Sequence, residues 1–459
     1  MSEVGSAAKP LVPRSDTPGL VWPAAPHPAG AAMLTMQYQL ERSQWQSEDA
    51  LRKLQVLQLR LLAAHAVVTV PYYKDHLATA GLADVEDISP TTYLRWPTIG
   101  PTDVGTLGER LRASGYPKEH GRSFESFTSG ATGSPKRIAN TEVAQFFAHA
   151  LVLRDHLWHR RDFSAKFGAI RFFATEGRSS TWSRITSAVF ATGPAVELDV
   201  TTDIPRQFDW LLSEKPNYLL TSPSNLAALL DRSRDVGRSP QGLRQVITYA
   251  EFLPAKLRGR VRDAWGVPLM DSYSCTEAGA LALQCPDHEH YHVQCENVYL
   301  EVLREVGTPC APGETGRVVI TPLHNFAMPL MRYDLGDYAT LGEPCACGRG
   351  LPVIRNVLGR ARNLARDPSG RHYQPGFDQA LDEAGLPVRQ FQFIQQTPEL
   401  IEMSYVMDRE LSGQEMERFQ AAVKTSLPYP FEIRFRRVDA IARSPGGKYE
   451  GFISRVASA

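Results

Sequence analysis

Leu51, Leu54, Leu57, Leu61 and Leu62 recur at three- and four-residue spacing, which predicts a helix over about 48–65 with these leucines on its apolar face. VVTVPYY ends that helix at Pro71. TEVAQFFAHALVLRDHLWH predicts a second helix, with Thr141 as its N-cap. From 167 to 270 the apolar runs GAIRFFAT, AVELDV, NYLLTS, RQVITYA and VPLMDSYS are separated by helix-like stretches such as PSNLAALLDRSRDVG and LPAKLRGRVRDAWG. Unbroken apolar runs are what strands covered on both faces require, so this section predicts an α/β sheet. Between 291 and 340 the texture shifts to strands and turns: YHVQCENVYLEVL, ETGRVVITPL and PLMRYDLGDYAT. The stretch 361–459, after LGRARNL, combines strand-like FQFIQQ and FEIRFRRV with helix-like QEMERFQAAVKTSL, a small α+β domain. Residues 1–32, rich in Pro, Ala and Gly, are expected to form a disordered or loosely ordered extension. Met33 and Met36 are alternative starts, and 33–360 is the expected main domain.

A chain of 459 residues exceeds what one hydrophobic core serves, in line with at least two domains. An apolar share of 43% and a formal net charge of zero fit a globular protein with no general affinity for nucleic acid. No apolar run reaches membrane-spanning length, and the first thirty residues hold no apolar core of a secretion signal. Six cysteines are too few for a disulfide framework at this size. The expectation is a cytoplasmic enzyme or binding protein without a membrane partner, with a homodimer left open. Forty of the fifty basic residues are arginine, so each lysine beside glycines stands out.

Four segments carry candidate chemistry. FESFTSGATGSPKR (124–137) sets Thr128, Ser129, Thr132 and Ser134 around Gly130 and Gly133, with Lys136 following. Glycine-exposed N–H groups and hydroxyls can surround phosphate oxygens, although the spacing is not the GxxxxGK[ST] of a P-loop. A plain surface loop is the alternative. In YSCTEAG (273–279), Tyr273 can stack on a purine, Thr276 can bond a phosphate, and Glu277 can offer oxygens to Mg²⁺; a simple strand-end turn is the other reading. MRYDLGD places Asp334 and Asp337 about a glycine, where one carboxylate can take both ribose hydroxyls. SPGGKYEGF hinges Lys448 on two glycines, either a solvated charge or a mobile cation for anions developing charge together.

SFTSGATGSPKR, YSCTEAG, PLMRYDLGD, Gly359-Arg360 and GGKY, in this order and spacing, resemble the core motifs of adenylate-forming enzymes. The following CACGRGLPVI narrows the resemblance to the phenylacetate–CoA ligase and coenzyme F390 synthetase branch. It covers about 120–455 and implies a large multi-subdomain N-terminal domain of sheets with helices plus a small β-rich subdomain, followed by a small mobile α+β domain. It also implies a two-step reaction: a carboxylate attacks the α-phosphate of ATP and expels pyrophosphate, then a nucleophile displaces AMP from the acyl-adenylate. The loop 128–136 would hold the β- and γ-phosphates, and Glu251 of YAEFLP would lie by the nucleotide and acyl pocket. Tyr273 would sit near adenine, Thr276 by the α-phosphate and Glu277 on Mg²⁺. Asp337 would take the ribose hydroxyls, Arg360 the ribose or phosphate region, and Lys448 would bridge the substrate carboxylate and the α-phosphate.

The chain departs from that pattern at its hinge, where Arg362 stands in place of an aspartate, and at Cys275, where a small residue is usual. An inert thiol is the simpler reading of Cys275, because this chemistry needs no nucleophilic side chain. Cys285, His288, His290, His292, Cys345 and Cys347 hold either scattered side chains or a tetrahedral S₃N zinc site. The branch it resembles often carries a structural zinc here, with a histidine directly before Val293, which implies Cys285, His292, Cys345 and Cys347 as ligands; His290 is the alternative histidine. Cys295 and Cys310 are spare.

The branch mainly activates aryl and arylacetic acids, and Phe146, Phe147, Ala174, Tyr249, Ala250, Phe252 and Ala278 are candidate pocket linings that ordinary core packing would also use. CoA is the expected acceptor. An amine acceptor giving an amide is the near alternative, and a nucleotide-binding regulator without turnover is an alternative of another class.

Overall fold

The computed structural model describes residues 12–79, 84–127, 136–172, 174–373, 375, 377–386, 388, 390–427, 429–441 and 451–456. They divide into two compact units: Met1–Phe127 with Arg137–Asp334 and Thr340–Asn356, and Thr128–Lys136 with Leu335–Ala339 and Val357–Ala459.

The apolar runs from 167 to 275 become the strands Phe167–Arg171, Ala195–Asp199, Tyr218–Thr221, Gln245–Tyr249 and Leu269–Cys275. All five are mutually parallel neighbours, in the order 195–199, 167–171, 218–221, 245–249, 269–275. Adjacent residues of one strand serve opposite faces. Val246 packs with Leu226, Leu230 and Val261 of the helices Pro223–Val236 and Leu257–Trp265, whereas Ile247 joins Leu151, Trp158, Met33 and Leu40 on the other side. Both faces are therefore apolar, which is why these strands show no alternation in sequence. Antiparallel strands Gly279–Gln284, Tyr291–Val293 and Val353–Arg360 extend the sheet. Tyr333–Leu341, Thr315–Pro322 and Val298–Leu303 continue it to one edge, and Gly177–Ser179 forms the other. Among the described residues, no single helix is long and apolar enough to cross a membrane.

Two helices differ from the sequence reading. Glu48–Thr69 forms, but it buries Leu51, Gln55, Leu59, Leu62, Ala63 and Ala66. Leu54, Leu57 and Leu61 are 53%, 58% and 63% exposed. Two leucine stripes, each at helical spacing, run along opposite sides of one helix, and Gln55 marks the buried one by donating to the carbonyls of Cys295 and Val298. The stretch read as a loose extension contains the start of a helix, Pro28–Ser43, with Gly30 and Met33 buried. Gly30 is required there, since a Cβ would come within 2.2 Å of the Ala188 carbonyl oxygen.

The second unit pairs Glu432–Arg437, Leu400–Val406, Gln390–Gln395 and Phe452–Ser454 in one sheet, covered by helices Phe377–Glu383 and Gly413–Ser426. Phe377, Phe393, Phe419 and Phe452 form its centre, with Phe377 and Phe393 stacked at 4.0 Å.

The parallel and antiparallel parts of the large sheet are tied together at buried Asp271. Its carboxylate accepts from the Thr248 hydroxyl at 2.6 Å and the Tyr291 hydroxyl at 2.7 Å, and its backbone N–H donates to Gln284 Oε1 at 2.9 Å. Burial raises this carboxyl to about 6, with the hydrogen bonds from Thr248 and Tyr291 acting against it. A folded-state value above the unfolded value of about 3.9 means that the folded protein holds this proton more tightly. The associated stabilisation, about 3 kcal/mol, is complete below about pH 4 and is lost as pH rises through about 6. Asp271→Asn removes the titration, so the melting temperature of that variant relative to wild type should climb between about pH 4 and pH 7. A pH-independent difference would count against the buried acid.

Candidate functional site

In open α/β sheets ligands gather at the carboxyl ends of the parallel strands. Gln245–Tyr249 ends there in Ala250, at φ +66°, followed by Glu251. A non-glycine residue in this region is strained, so the turn is held by its surroundings. Glu251 Oε2 accepts from the Ser224 backbone N–H at 3.0 Å, at the start of helix Pro223–Val236, and its buried Oε1 has no hydrogen-bond partner among the described residues. Glu251 thus joins the turns that follow two neighbouring strands, a role its place in YAEFLP did not announce.

The neighbouring strand Leu269–Cys275 turns back on itself through Thr276, Glu277 and Ala278, with Cys275 opposite Gly279. Tyr273 and Glu277 are buried, Cys275 is half-buried and Thr276 is exposed. The helix Glu142–Trp158 lies directly on this turn. Gly279 has φ +72°, and a Cβ there would stand 2.9 Å from Ala148 Cβ. Asn297 Nδ2 donates to the Ala278 carbonyl at 2.9 Å. Phe147, next to Ala148, stacks on His324 at 3.6 Å, and His324 bonds the Glu296 carbonyl at 2.9 Å. Asn297 and His324 carried no sequence signal, because their role depends on partners 19 and 177 residues away in the chain.

The same helix is preceded by the hairpin Ser123–Phe127/Arg137–Thr141, whose register pairs Phe127 with Arg137. Thr141 caps the helix, its hydroxyl accepting from the Ala144 N–H at 3.2 Å. The glycine-rich segment joins these two strands in sequence. Thr128, Ser129, Gly130, Thr132 and Gly133 lie outside the described residues; Lys136 stands at the described end of the segment.

In the second unit the structure brings Asp337 and Arg360 together, with Arg360 Nε 3.0 Å from Asp337 Oδ1. Arg360 also donates to the Leu335 carbonyl, and the Gly336 backbone, at φ +73°, passes beneath its guanidinium. Beyond Arg360, Ala361–Asn363 form one 3₁₀ turn, and Asn363 Nδ2 donates to the Phe452 carbonyl at 2.8 Å. Lys448 lies outside the described residues, just before the strand Phe452–Ser454.

Cys285, His292, Cys345 and Cys347 converge, each offering a ligand atom within 4.8 Å of the others. Cys285 follows the strand Gly279–Gln284, and His292 lies on the strand paired with it. The two other thiols come from the loop between Tyr333–Leu341 and Val353–Arg360. Cys285 Sγ and Cys345 Sγ are 3.9 Å apart, and Cys347 Sγ is 3.4 Å from His292 Nε2. Tetrahedral zinc with ordinary bond lengths would set these edges at about 3.8 and about 3.6 Å. His292 Nδ1 faces the Leu351 carbonyl at 3.4 Å, which leaves Nε2 as the ligand atom. His290 stands apart from the four, edge-on to His292 and stacked on His288. Burial pushes the Cys285 thiol up to about 12 and lowers His292 to about 4. Two buried thiols and the half-buried Cys347 this close cannot all ionise alone, so the donor set fits a divalent cation that replaces the thiol protons.

A family model described as AMP-binding enzyme matches residues 31–327, short of Asp337, Arg360 and Lys448. A phenylacetate-coenzyme A ligase of Thermus thermophilus is 26% identical over 353 residues, 72% of this chain and 74% of that protein. One from Aromatoleum evansii is 24% identical over 71% of this chain and 74% of its own. In fold, the chain is similar to a 2-hydroxyisobutyryl-CoA ligase in the postadenylation state, bound to R3-HIB-AMP, with a TM-score of 0.69, 17% identity, and 90% and 91% of the two chains covered. An anthranilate CoA ligase in complex with anthranoyl-AMP matches with a TM-score of 0.53 and 17% identity, over 71% of this chain and 65% of that one.

The Gly279–Ala148 contact is directly testable. Gly279→Ala should lower stability by about 1–3 kcal/mol, from left-handed backbone strain and the helix contact together. Ala148→Gly costs about 1 kcal/mol in a helix by propensity alone. In the Gly279→Ala background that cost should shrink or change sign. Equal costs in both backgrounds, measured by denaturant unfolding, would contradict the contact.

Proposed function

This chain belongs to the AMP-binding enzymes, in the phenylacetate–CoA ligase branch of the adenylate-forming superfamily, and we propose that it joins an aromatic or arylacetic acid to CoA through an acyl-adenylate. The observation that carries this reading is buried Glu277, in the turn at the carboxyl end of Leu269–Cys275, packed against the helix that follows the loop 128–136. The substrate carboxylate is already ionised, so the reaction needs no general base. The barrier is repulsion between anions and the charge that builds on phosphate, and cations aimed at those oxygens relieve both.

In this reading the loop 128–136, with Lys136, holds the β- and γ-phosphates, and Thr276 bonds the α-phosphate. Glu277 would hold Mg²⁺, which supplies positive charge to the phosphate oxygens when bound. Tyr273 lies beside adenine, with Glu251 bracing the neighbouring turn. Asp337 takes the ribose hydroxyls while Arg360, 3.0 Å away, orients it. Lys448 bridges the acid and the α-phosphate in the first half-reaction and leaves in the second, carried by a mobile domain beginning near 361. The aromatic preference draws support from the names of the relatives and from Phe147 near the Glu277 turn. Cys285, His292, Cys345 and Cys347 would hold zinc as a closed four-ligand set that leaves no position for substrate.

Acid-dependent exchange of pyrophosphate into ATP, across a panel of aryl, arylacetic and aliphatic acids, tests the activation step. Exchange is expected with the aromatic acids, and no exchange with any acid would remove the enzyme reading. The product mass then distinguishes a CoA thioester, expected here, from an amide. Lys448→Ala should slow exchange by about 100-fold or more; a variant as fast as wild type would remove the lysine from the reaction. Metal analysis of zinc-replete protein should find about one zinc per chain, lost in Cys345→Ser together with thermal stability. Zinc-free wild type of unchanged stability would refute the metal site.

A further inference from the structure

Between the N-terminal segment and the helix Arg184–Val189 lies a cavity of about 220 Å³, lined by Arg14, Asp16, His27, Arg184, Ser187 and Ala188. Its walls are set by the backbone. The Arg14 N–H donates to the Val189 carbonyl at 2.7 Å, and the Asp16 N–H to that of Ala25 at 2.8 Å, closing the excursion 16–25. On the opposite wall Gly30 lets the helix Pro28–Ser43 dock on the Ala188 carbonyl.

The cavity opens to solvent, with Arg14, Asp16, His27 and Arg184 all exposed. Arg14 and Arg184 come from separate elements, reach one cavity, and form no ion pair among the described residues. His27 Nδ1 accepts from the Ala29 N–H at 3.2 Å, which puts the ring proton on Nε2 as a further donor. Asp16 is the one carboxylate in the lining. Two guanidiniums favour a phosphate, and Asp16 favours a hydroxyl donor beside it. The volume is below the ~300–1,000 Å³ of a whole small-molecule pocket, so the cavity suits one end of a ligand.

We propose that this cavity is a subsite for a phosphorylated ribose with a free neighbouring hydroxyl, the phosphate on Arg14 and Arg184 and the hydroxyl on Asp16. The 3′-phosphoribose of CoA has this chemistry, as does a free nucleoside 3′-phosphate; assignment to the acceptor rests on the CoA reading above. Arg184 also lies within electrostatic reach of Glu142 and His149, on the helix that packs against the Glu277 turn.

Calorimetric titration of the full chain with adenosine 3′-monophosphate, the nucleotide site first filled with 5′-AMP, tests the subsite. Arg14→Ala and Arg184→Ala, both exposed positions, should each weaken binding about tenfold or more, and the 2′-deoxy probe should bind several-fold more weakly to wild type. Both variants should keep acid-dependent pyrophosphate exchange. Unchanged affinity in the variants, or equal affinity for inorganic phosphate and the 3′-monophosphate, overturns the proposal. In the transfer step, wild type should have a KM for dephospho-CoA about tenfold or more above that for CoA, and Arg184→Ala should abolish the difference. Equal KM values in wild type overturn the assignment to the acceptor while leaving the CoA reading standing. Arginine-dependent binding of the 3′-monophosphate without any thioester product removes the CoA reading and leaves the subsite.

Discussion

The arrangement of the first unit depends on one close approach, between Ala148 in the helix Glu142–Trp158 and Gly279 in the turn that carries Glu277. A side chain at 279 would have to occupy space that Ala148 fills, on a backbone with φ +72°. With glycine there, a 17-residue helix, about 25 Å long, becomes a rod packed on one face of the sheet. Its first residue follows the hairpin Ser123–Phe127/Arg137–Thr141, its middle braces the Glu277 turn, and its last, Trp158, lies edge-on to His292 at 5.9 Å. Arg349, from the loop after Cys347, stacks on Trp158 at 4.8 Å and on Trp45 at 4.8 Å, which secures that end. Acidic turn and thiol cluster are thus braced by one element.

The thiol cluster and the acidic turn divide the labour. The strand Gly279–Gln284 begins at the turn and delivers Cys285 at its other end, so a cation held by Cys285, His292, Cys345 and Cys347 would fix the register of the hairpin that presents Glu277. Burial acts against the Cys285 thiolate and the His292 imidazolium alike, and a divalent ion bound there would reverse it. In the second unit the Asp337–Arg360 pair plays a comparable part, orienting a carboxylate at a segment where Gly336 and Gly359 take positive φ.

Much of this was legible in the residues, for identifiable reasons. The strands from 167 to 275 are apolar on both faces, so their runs stand out, and Thr141 announces its cap beside a helical stripe. The clustering of Cys285, His292, Cys345 and Cys347, with His290 outside it, followed from the family resemblance rather than from spacing. What was not legible depends on distant partners or on competing stripes. Leu54, Leu57 and Leu61 keep helical spacing but face away from the core, and only the Gln55 bonds to Cys295 and Val298 reveal which side is buried. The helix Pro28–Ser43 hides in a stretch whose Pro, Ala and Gly content resembles disorder. Asp271 had no motif around it, since its partners Thr248, Gln284 and Tyr291 arrive from three other strands.

The proposed chemistry turns on the substrate carboxylate, rather than water or a side chain, attacking the α-phosphate. The attacking oxygen stays with phosphorus when the acceptor later takes the acyl carbon, so the acid's label is carried into AMP. A single turnover with acid labelled with ¹⁸O in both carboxyl oxygens, followed by mass analysis of the AMP, examines this directly. Attack by the carboxylate gives AMP carrying one ¹⁸O and a product retaining the other. AMP free of label, formed in step with product, would contradict it.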